Sequence, residues 1–401
     1  MFWVAAIAST DTGSHNAQSR ACNRDSTVTA SLFELRTQID QLDQRLIALL
    51  GERATLTRAV GEYKHRHGLP LYAPEREAQL LGARREQARA AGLDPALLED
   101  ILRRVMRDSY ASQQAQFPAT GDSSRAVVIV GGGGALGQLL SGLFARSGYP
   151  VHVLEKDDWA QAPAWFANAG LVLLAVPIEH TCAIIRALPA LPADCVLADI
   201  TSIKRAPLNA MLESHPGPVV GLHPMFGPDV GNLAKQVVVV CHGRDPQRCQ
   251  WLLEQFTVWG AVLREEQPER HDRAMVLIQA MRHFSSMVYG VFLQREGADL
   301  HELMRLSSPI YRLELAMVGR LFAQNPALYA DIILAAEHLP DLIDQYRHTL
   351  DALLAMVRDA DRAALIAQFN DTSAFFGDLA PALLHESADL LRKAHDARDP
   401  G

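Results

Sequence analysis

His223 follows the apolar run Val219-Val220-Gly221-Leu222 and precedes Pro224. A histidine placed where a buried strand ends, and stiffened by the next proline, is rigidly aimed. Its imidazole can accept a proton from an alcohol while a hydride leaves the same carbon. The plainer alternative is a packed histidine satisfied by backbone. Such a reaction needs a hydride acceptor, and one stretch is suited to hold it. Val127-Val128-Ile129-Val130 runs straight into Gly131-Gly132-Gly133-Gly134-Ala135-Leu136-Gly137. Gly132, Gly134 and Gly137 fit G-x-G-x-x-G, the first glycine for a tight turn, the second for close approach to a pyrophosphate, the third for helix–strand packing. The phosphates then sit at a helix N-terminus near Ala135 and Leu136, where free N–H groups and the macrodipole favour negative charge. A second apolar run, 151–154, ends about twenty residues on at Glu155, where an acid holds ribose hydroxyls and repels a 2′-phosphate. NAD is therefore expected over NADP, with the adjacent Lys156 as a counterweight. Val176, closing the apolar run 171–176, completes the expected cofactor-binding set. The alternative is a tight turn with a structural role only.

A second constellation lies earlier: Arg36, Arg53, Lys64 and Arg76, with Glu77, Ser109 and Gln113. Arg53 and Lys64 are eleven residues apart on one helix face, about 16 Å along the axis, so long side chains can converge on a small dianion. Arg36 lies about 25 Å from Arg53 by the same rise and can join that ligand only from an antiparallel partner chain. The competing reading is a solvated charged face. Late in the chain, Arg312 and Arg320 are eight apart, about 12 Å on roughly one face, and suit carboxylate forks. Ion pairs on the helix surface are the alternative. Ser202 and Lys204 follow the apolar run 195–200, at the edge where sheets of this kind bind ligands. His215 and His242 read as packing residues, and the sequence contains no metal-binding motif such as H-E-x-x-H.

These residues need three kinds of scaffold, and 401 residues are too many for one ordinary core. Residues 1–29 read as a disordered extension, apolar at first but without the positive start of a signal peptide; an upstream start codon would account for it. From Ser31 the apolar positions Leu32, Leu35, Ile39, Leu42, Leu46 and Leu49 have helical spacing, and Ser31 with Glu34 forms a capping box. That helix extends to about His67, a second runs from Pro74 to about Ala90, and a third from Pro95 to about Gln114. They make an all-α bundle over 30–116 that buries its stripes only by pairing with a second copy. Residues 117–125 read as a linker by composition. Over 126–266, apolar runs alternate with helical segments, the pattern of a doubly wound α/β sheet of Rossmann type. After Gln267 only helices follow, to about 395, an all-α dimerisation domain. A net charge of −8 argues against nucleic-acid binding, and the longest apolar runs are too short to span a membrane. Five scattered cysteines without C-x-x-C spacing point to reduced thiols and a cytoplasmic protein.

The first helical segment resembles the all-helical chorismate mutase family. The resemblance rests on Leu35-Arg36-x-x-Ile39-Asp40-x-x-Asp43, Leu49-Leu50-x-Glu52-Arg53, Val60-Gly61-x-x-Lys64, Pro74-Glu75-Arg76-Glu77 and Ser109-x-x-x-Gln113. It implies that Arg53, with Arg36 of a partner subunit, clamps the substrate carboxylates. Lys64 and Gln113 then hydrogen-bond the ether oxygen, Glu77 holds the ring hydroxyl, and Arg76 and Ser109 line the pocket. Ala73 departs from members that place an acid there, which loosens the hydroxyl contact. Residues 126–395 resemble prephenate dehydrogenase through 127–134, 221–228 and 307–322, and the domain order is that of bifunctional chorismate mutase/prephenate dehydrogenases. The resemblance implies conversion of chorismate to prephenate, then NAD-dependent oxidative decarboxylation to 4-hydroxyphenylpyruvate. His223 is then the base and Arg320 binds a carboxylate. Ser202 and Lys204 lie near nicotinamide and substrate, with Arg312, His271 and His283 as further candidates. A homodimer inhibited by tyrosine is implied as well. Two rivals stay open: an arogenate or β-hydroxy-acid dehydrogenase with regulatory front helices, and a NAD-sensing dimeric scaffold.

Overall fold

The computed structural model describes residues 31–113, 116–160 and 162–396. The expected extension over 1–29 and the thiol Cys22 lie outside the described residues. The chain divides into two units, one ending at Thr55 and one running from Leu56 onward. The boundary falls inside the first helix, α1 (Leu32–Arg66), whereas the sequence pattern joins everything from 30 to 116 into one domain.

The first unit carries the opening turns of α1. Its capping box forms as expected: the Glu34 amide donates to Ser31 Oγ at 3.2 Å, and the Ser31 amide to Glu34 Oε2 at 2.7 Å. The stripe Leu32, Leu35, Ile39, Leu42, Leu46 and Leu49 is exposed among the described residues.

The second unit begins with the rest of α1, then α2 (Pro74–Ala90) and α3 (Pro95–Ser112). Asp94 caps α3 through the Ala96 amide, and Glu99 of α3 ties Arg85 of α2 to Arg103 of α3. The seven-stranded sheet comprises β1 (Ala126–Val130), β2 (Val151–Leu154), β3 (Ala169–Leu174), β4 (Val196–Asp199), β5 (Val219–Pro224), β6 (Val237–His242) and β7 (Val262–Glu265), in the order β2-β1-β3-β4-β5-β6-β7. All adjacent strands are parallel except β5 and β6. The segment 225–236 contains no helix to carry a parallel crossover, so β6 returns antiparallel. Alternate residues feed two cores. Val127, Ile129, Leu171 and Leu173 face α4 (Ala135–Arg146) and α8 (Pro246–Val258). Val128, Val130, Val172 and Leu174 face α5 (Ala162–Ala167), α6 (Ile178–Ala187) and α7 (Arg205–Ser214).

The expected linker is not loose. Phe117 is buried in the first sheet core, and the Thr120 hydroxyl donates to the Trp251 carbonyl at 2.7 Å. The Thr120 amide meets Tyr149 and Gln255. Phe117 and Thr120 anchor the first half of the strap, whereas Asp122, Ser123 and Ser124 are exposed.

Beyond the sheet lie α9 (Pro268–Met275), a π-helical turn (Val276–Met281) and α10 (Arg282–Arg295). They are followed by α11 (Leu300–Leu306), α12 (Pro309–Phe322), α13 (Pro326–Leu334), α14 (Leu339–Arg358), α15 (Arg362–Phe376) and α16 (Leu379–Asp396). Val276, Ala280 and Leu339 form a small core, while Leu350, Phe369, Phe375 and Leu384 on the late helices are exposed.

Candidate active site

At the end of β1 the backbone of Gly131 turns left-handed, φ +77°, and a Cβ there would lie 2.6 Å from Val176 Cγ1 and 2.8 Å from the Ala175 carbonyl. The tight turn therefore belongs to Gly131, not to Gly132 as the motif suggests. Gly132 serves packing instead: a Cβ on Gly137 would lie 2.6 Å from Gly132 Cα. Gly134 stands at the N-terminus of α4, where a Cβ would make only an ordinary contact 3.7 Å from the Gly131 carbonyl, and makes no side-chain cap. Glu155 accepts from the Gly133 amide at 2.6 Å, which holds its carboxylate beside the turn. Gln138, absent from the motif, braces the turn by donating to the Gly133 carbonyl at 2.8 Å. A bare helix N-terminus behind glycines, with a carboxylate alongside, fits the phosphates and ribose of a dinucleotide.

Since β1 and β5 run the same way, His223 lies at the same edge of the sheet as this turn. His223 is buried, and its ring contacts are side chains rather than backbone. Its Nδ1 meets His271 Nε2 at 2.8 Å, and His271 Nδ1 meets Asp272 Oδ1 at 2.8 Å. Gln279 Nε2 approaches His223 Nε2 at 3.1 Å. Burial pushes the His223 imidazolium well below the usual range, and the cationic Lys204 and the His271 ring push the same way. The ring is therefore neutral near pH 7, with a lone pair to receive a proton. Burial opposes ionisation of Asp272, but hydrogen bonds from His271 and from the Arg205 and Lys204 amides outweigh it and hold the carboxyl low.

Lys204 does not reach a ligand. Its Nζ is fully buried, donating to Asp199 at 2.5 Å and to the Leu222 carbonyl at 2.7 Å, so it stiffens the β4 and β5 ends from inside. A buried ammonium needs such a counter-charge. Ser202, partly exposed, stays on the surface of that loop. Arg320 of α12 is half exposed and pairs with Asp229 at 2.9 Å, on the loop that leaves His223. This is not the intrahelical pair that helix spacing allows. Arg312 is exposed two turns earlier. His283 is buried against the edge of the Tyr329 ring and beside Arg282, and nothing among the described residues hydrogen-bonds it to His223. Burial, then the Arg282 charge, lowers its pKa to about 4. Sequence reasoning missed Asp272, Gln279 and Asp229. A π-helical turn at Gln279 is the structural signal for the second, since such turns cluster at functional sites.

In the helical segments, Lys64 and Gln113 line one crevice with Gly61, Leu69 and Leu71. Lys64 Nζ donates to the Leu71 carbonyl at 2.7 Å, and partial burial lowers its pKa. Gln113 donates to the Ser109 carbonyl at 3.1 Å and leaves Oε1 buried without a partner. Ser109 is buried on α3, and its hydroxyl donates to the Val105 carbonyl. Arg76 is exposed. Arg36, exposed, and Arg53, half-buried, belong to the first unit. Glu77 departs from the expected hydroxyl contact: its buried carboxylate accepts from Lys235, from Tyr110 at 2.8 Å and from Arg103 at 3.3 Å. Lys235 reaches it from the sheet, so the carboxylate serves as an anchor between α2 and the segment before β6.

The chorismate mutase type II family matches residues 35–114. The nucleotide-binding domain of prephenate dehydrogenase matches 156–264, and its dimerization domain 267–371. The T-protein of Enterobacter agglomerans is 51% identical over 92% of this chain and 99% of its own length. That of Haemophilus influenzae is 47% identical over 92% of this chain and 98% of its own. The crystal structure of prephenate dehydrogenase from A. aeolicus with hydroxyphenyl propionate and NAD+ has the same fold: TM-score 0.52 at 18% identity, covering 64% of this chain and 98% of that one. With near-full-length kinship to both relatives, and with the mutase and dehydrogenase families matching successive stretches, the chain belongs to the T-protein family and joins a chorismate mutase to a prephenate dehydrogenase.

Proposed function

We propose that the helical segments rearrange chorismate to prephenate and that the sheet domain oxidises prephenate with NAD to 4-hydroxyphenylpyruvate and carbon dioxide. The observation that carries the second step is the neutral, buried His223 at the same sheet edge as the glycine cradle. Bound NAD supplies the hydride acceptor. His223 Nε2 takes the proton of the ring hydroxyl as hydride leaves the same carbon. Loss of carbon dioxide then returns electrons to the ring, and the ring oxygen regains a proton as a phenol. Arg320 binds a substrate carboxylate by trading Asp229 for it, with Arg312 and Ser202 as secondary contacts. Ala135, Leu136 and the three motif glycines hold the pyrophosphate, Glu155 the ribose, and Val176 the wall opposite Gly131.

For the first step no nucleophile is needed, only a compact conformer and stabilisation of the charge that develops as the C–O bond breaks. Lys64 and the amide of Gln113 serve the ether oxygen, the amide by turning its N–H from the Ser109 carbonyl. Arg53, with Arg36 from a second chain, holds the carboxylates. Arg76 and Ser109 line the pocket. The working form is a cytoplasmic homodimer, consistent with exposed apolar late helices and unpaired thiols at Cys182, Cys195, Cys241 and Cys249. Tyrosine, which shares the phenol and side-chain carboxylate of the product, is the expected feedback ligand.

The test is to supply chorismate with and without NAD, and prephenate with NAD. Prephenate should accumulate without NAD, and NADH should appear with it. Lys64→Ala should abolish the rearrangement and spare oxidation of supplied prephenate; His223→Asn should do the reverse. Loss of both activities from either change, in folded protein, would overturn the two-site assignment.

A further inference from the structure

We infer that Asp272 is a positioning residue of the dehydrogenase site: acting through His271, it fixes the proton of His223 on Nδ1 and presents Nε2 as the acceptor. The inference rests on the reading of His223 as the base. The hydrogen bonds give each link a direction. An ionised carboxylate only accepts, so His271 carries a proton on Nδ1. With that proton on Nδ1 alone, the His271 lone pair lies on Nε2, and His223 donates to it from Nδ1. This leaves the His223 lone pair on Nε2, where the Gln279 amide donates to it. If His271 donated from Nε2 instead, His223 would carry its proton on Nε2 and point it at the Gln279 NH2 group, donor against donor.

Asp272 is itself held in place. Oδ1 also accepts from the Lys204 amide at 2.7 Å, and Oδ2 from the Arg205 amide at 3.0 Å, so the carboxylate caps α7 and cannot rotate away from His271. Gln279 reaches the other nitrogen because of the π-helical turn. Eight residues of regular α-helix would leave it about 80° around the axis from His271, and the wider turn takes up much of that offset. Among the described residues, Lys204, paired with Asp199, is the other charge acting on His223, and the loop that follows His223 carries Asp229, paired with Arg320. Lys204 disfavours a protonated His223, whereas Asp272 favours one. When Nε2 takes the substrate proton, the Nδ1 proton can pass to His271 Nε2, and the charge then rests beside Asp272.

The test uses the full-length protein. In Asp272→Asn the remaining oxygen keeps the Arg205 amide, while the NH2 that takes the place of Oδ1 gives up the Lys204 amide and offers an N–H to His271, reversing the chain. The kcat for prephenate oxidation should fall about a hundredfold or more, the scale of a misplaced tautomer. KM for prephenate and NAD should stay within about threefold, and the residual rate should climb with pH. His223→Asn serves as the control on the base reading: if it keeps oxidation near wild type, that reading falls. If it abolishes oxidation while Asp272→Asn leaves kcat and its pH profile unchanged, the Asp272 role alone falls. Should Asp272→Asn not fold, 15N spectra of histidine-labelled wild type, assigned by difference with His223→Asn, decide the matter. A protonated Nδ1 and imine-type Nε2 on His223 support the inference, and the opposite tautomer overturns it.

Discussion

His223 and His283 show how burial sets what one residue type does. Both imidazoles titrate below the ordinary range, burial first. For catalysis this keeps His223 unprotonated across neutral pH, so kcat/KM for oxidation should hold its plateau down to about pH 6.5 and fall only below it, as a pH–rate profile would show. For stability the sign runs the other way from a paired histidine. The unfolded chain binds a proton near pH 6.5 that folded His283 refuses until about pH 4, so stability is lost as pH falls through that window. The loss reaches about 3 kcal/mol at most. His283→Gln should flatten this part of the acid slope in denaturant titrations between pH 7 and 4, whereas an unchanged slope would assign it to other groups.

Elements meet at positions where a side chain is either excluded or required. On α1, a Cβ at Gly61 would lie 2.9 Å from Gln113 Cγ, so the absent side chain lets Gln113 lie against the helix beside Lys64. Gly61→Ala should displace Gln113 and lower mutase kcat at least tenfold, about 1.4 kcal/mol, while oxidation of supplied prephenate is preserved. Lys235 is the converse case. It holds a left-handed backbone, φ 68°, and spends its side chain on the buried Glu77 and the Tyr72 ring. Lys235→Ala leaves a buried carboxylate short of one partner and should cost about 1–3 kcal/mol, read as a lower midpoint in urea unfolding. No change in that midpoint would mean that Arg103 and Tyr110 suffice.

At the scale of the whole molecule the question is how many chains build one mutase pocket. Arg36 and Arg53 lie on one continuous helix, seventeen residues and about 25 Å apart, too far to share a ligand the size of chorismate. The exposed apolar stripe of the same turns calls for a partner. Mixing inactive Arg36→Ala with inactive Arg53→Ala chains should therefore restore mutase activity. In a mixed dimer one pocket takes both arginines and the other both alanines. With random exchange the ceiling is about a quarter of wild type. No recovery after verified exchange would assign each pocket to a single chain.

The sequence alone determined what depends on neighbours along the chain. Continuous apolar runs, period-3.6 apolar patterns, the capping box and Pro74 and Pro95 at helix starts located the helices and the central strands, because such preferences are set within a few residues. The motif also located the glycine cradle, though it assigned the turn to Gly132 where the backbone makes it at Gly131. The antiparallel β6, the short β7 and the packed strap at 117–125 were not legible, since each depends on partners far along the chain. The same holds within the site. Lys204 and Glu77 carry charges that sequence assigns to ligands, but burial gives them Asp199 and Lys235 instead. Asp272 and Gln279 have no motif at all. They matter because a helix entering after the sheet, widened by one π turn, brings them to a histidine about fifty residues earlier. Charge type is written in the sequence; whether a charge meets solvent, a ligand or another side chain is decided by packing.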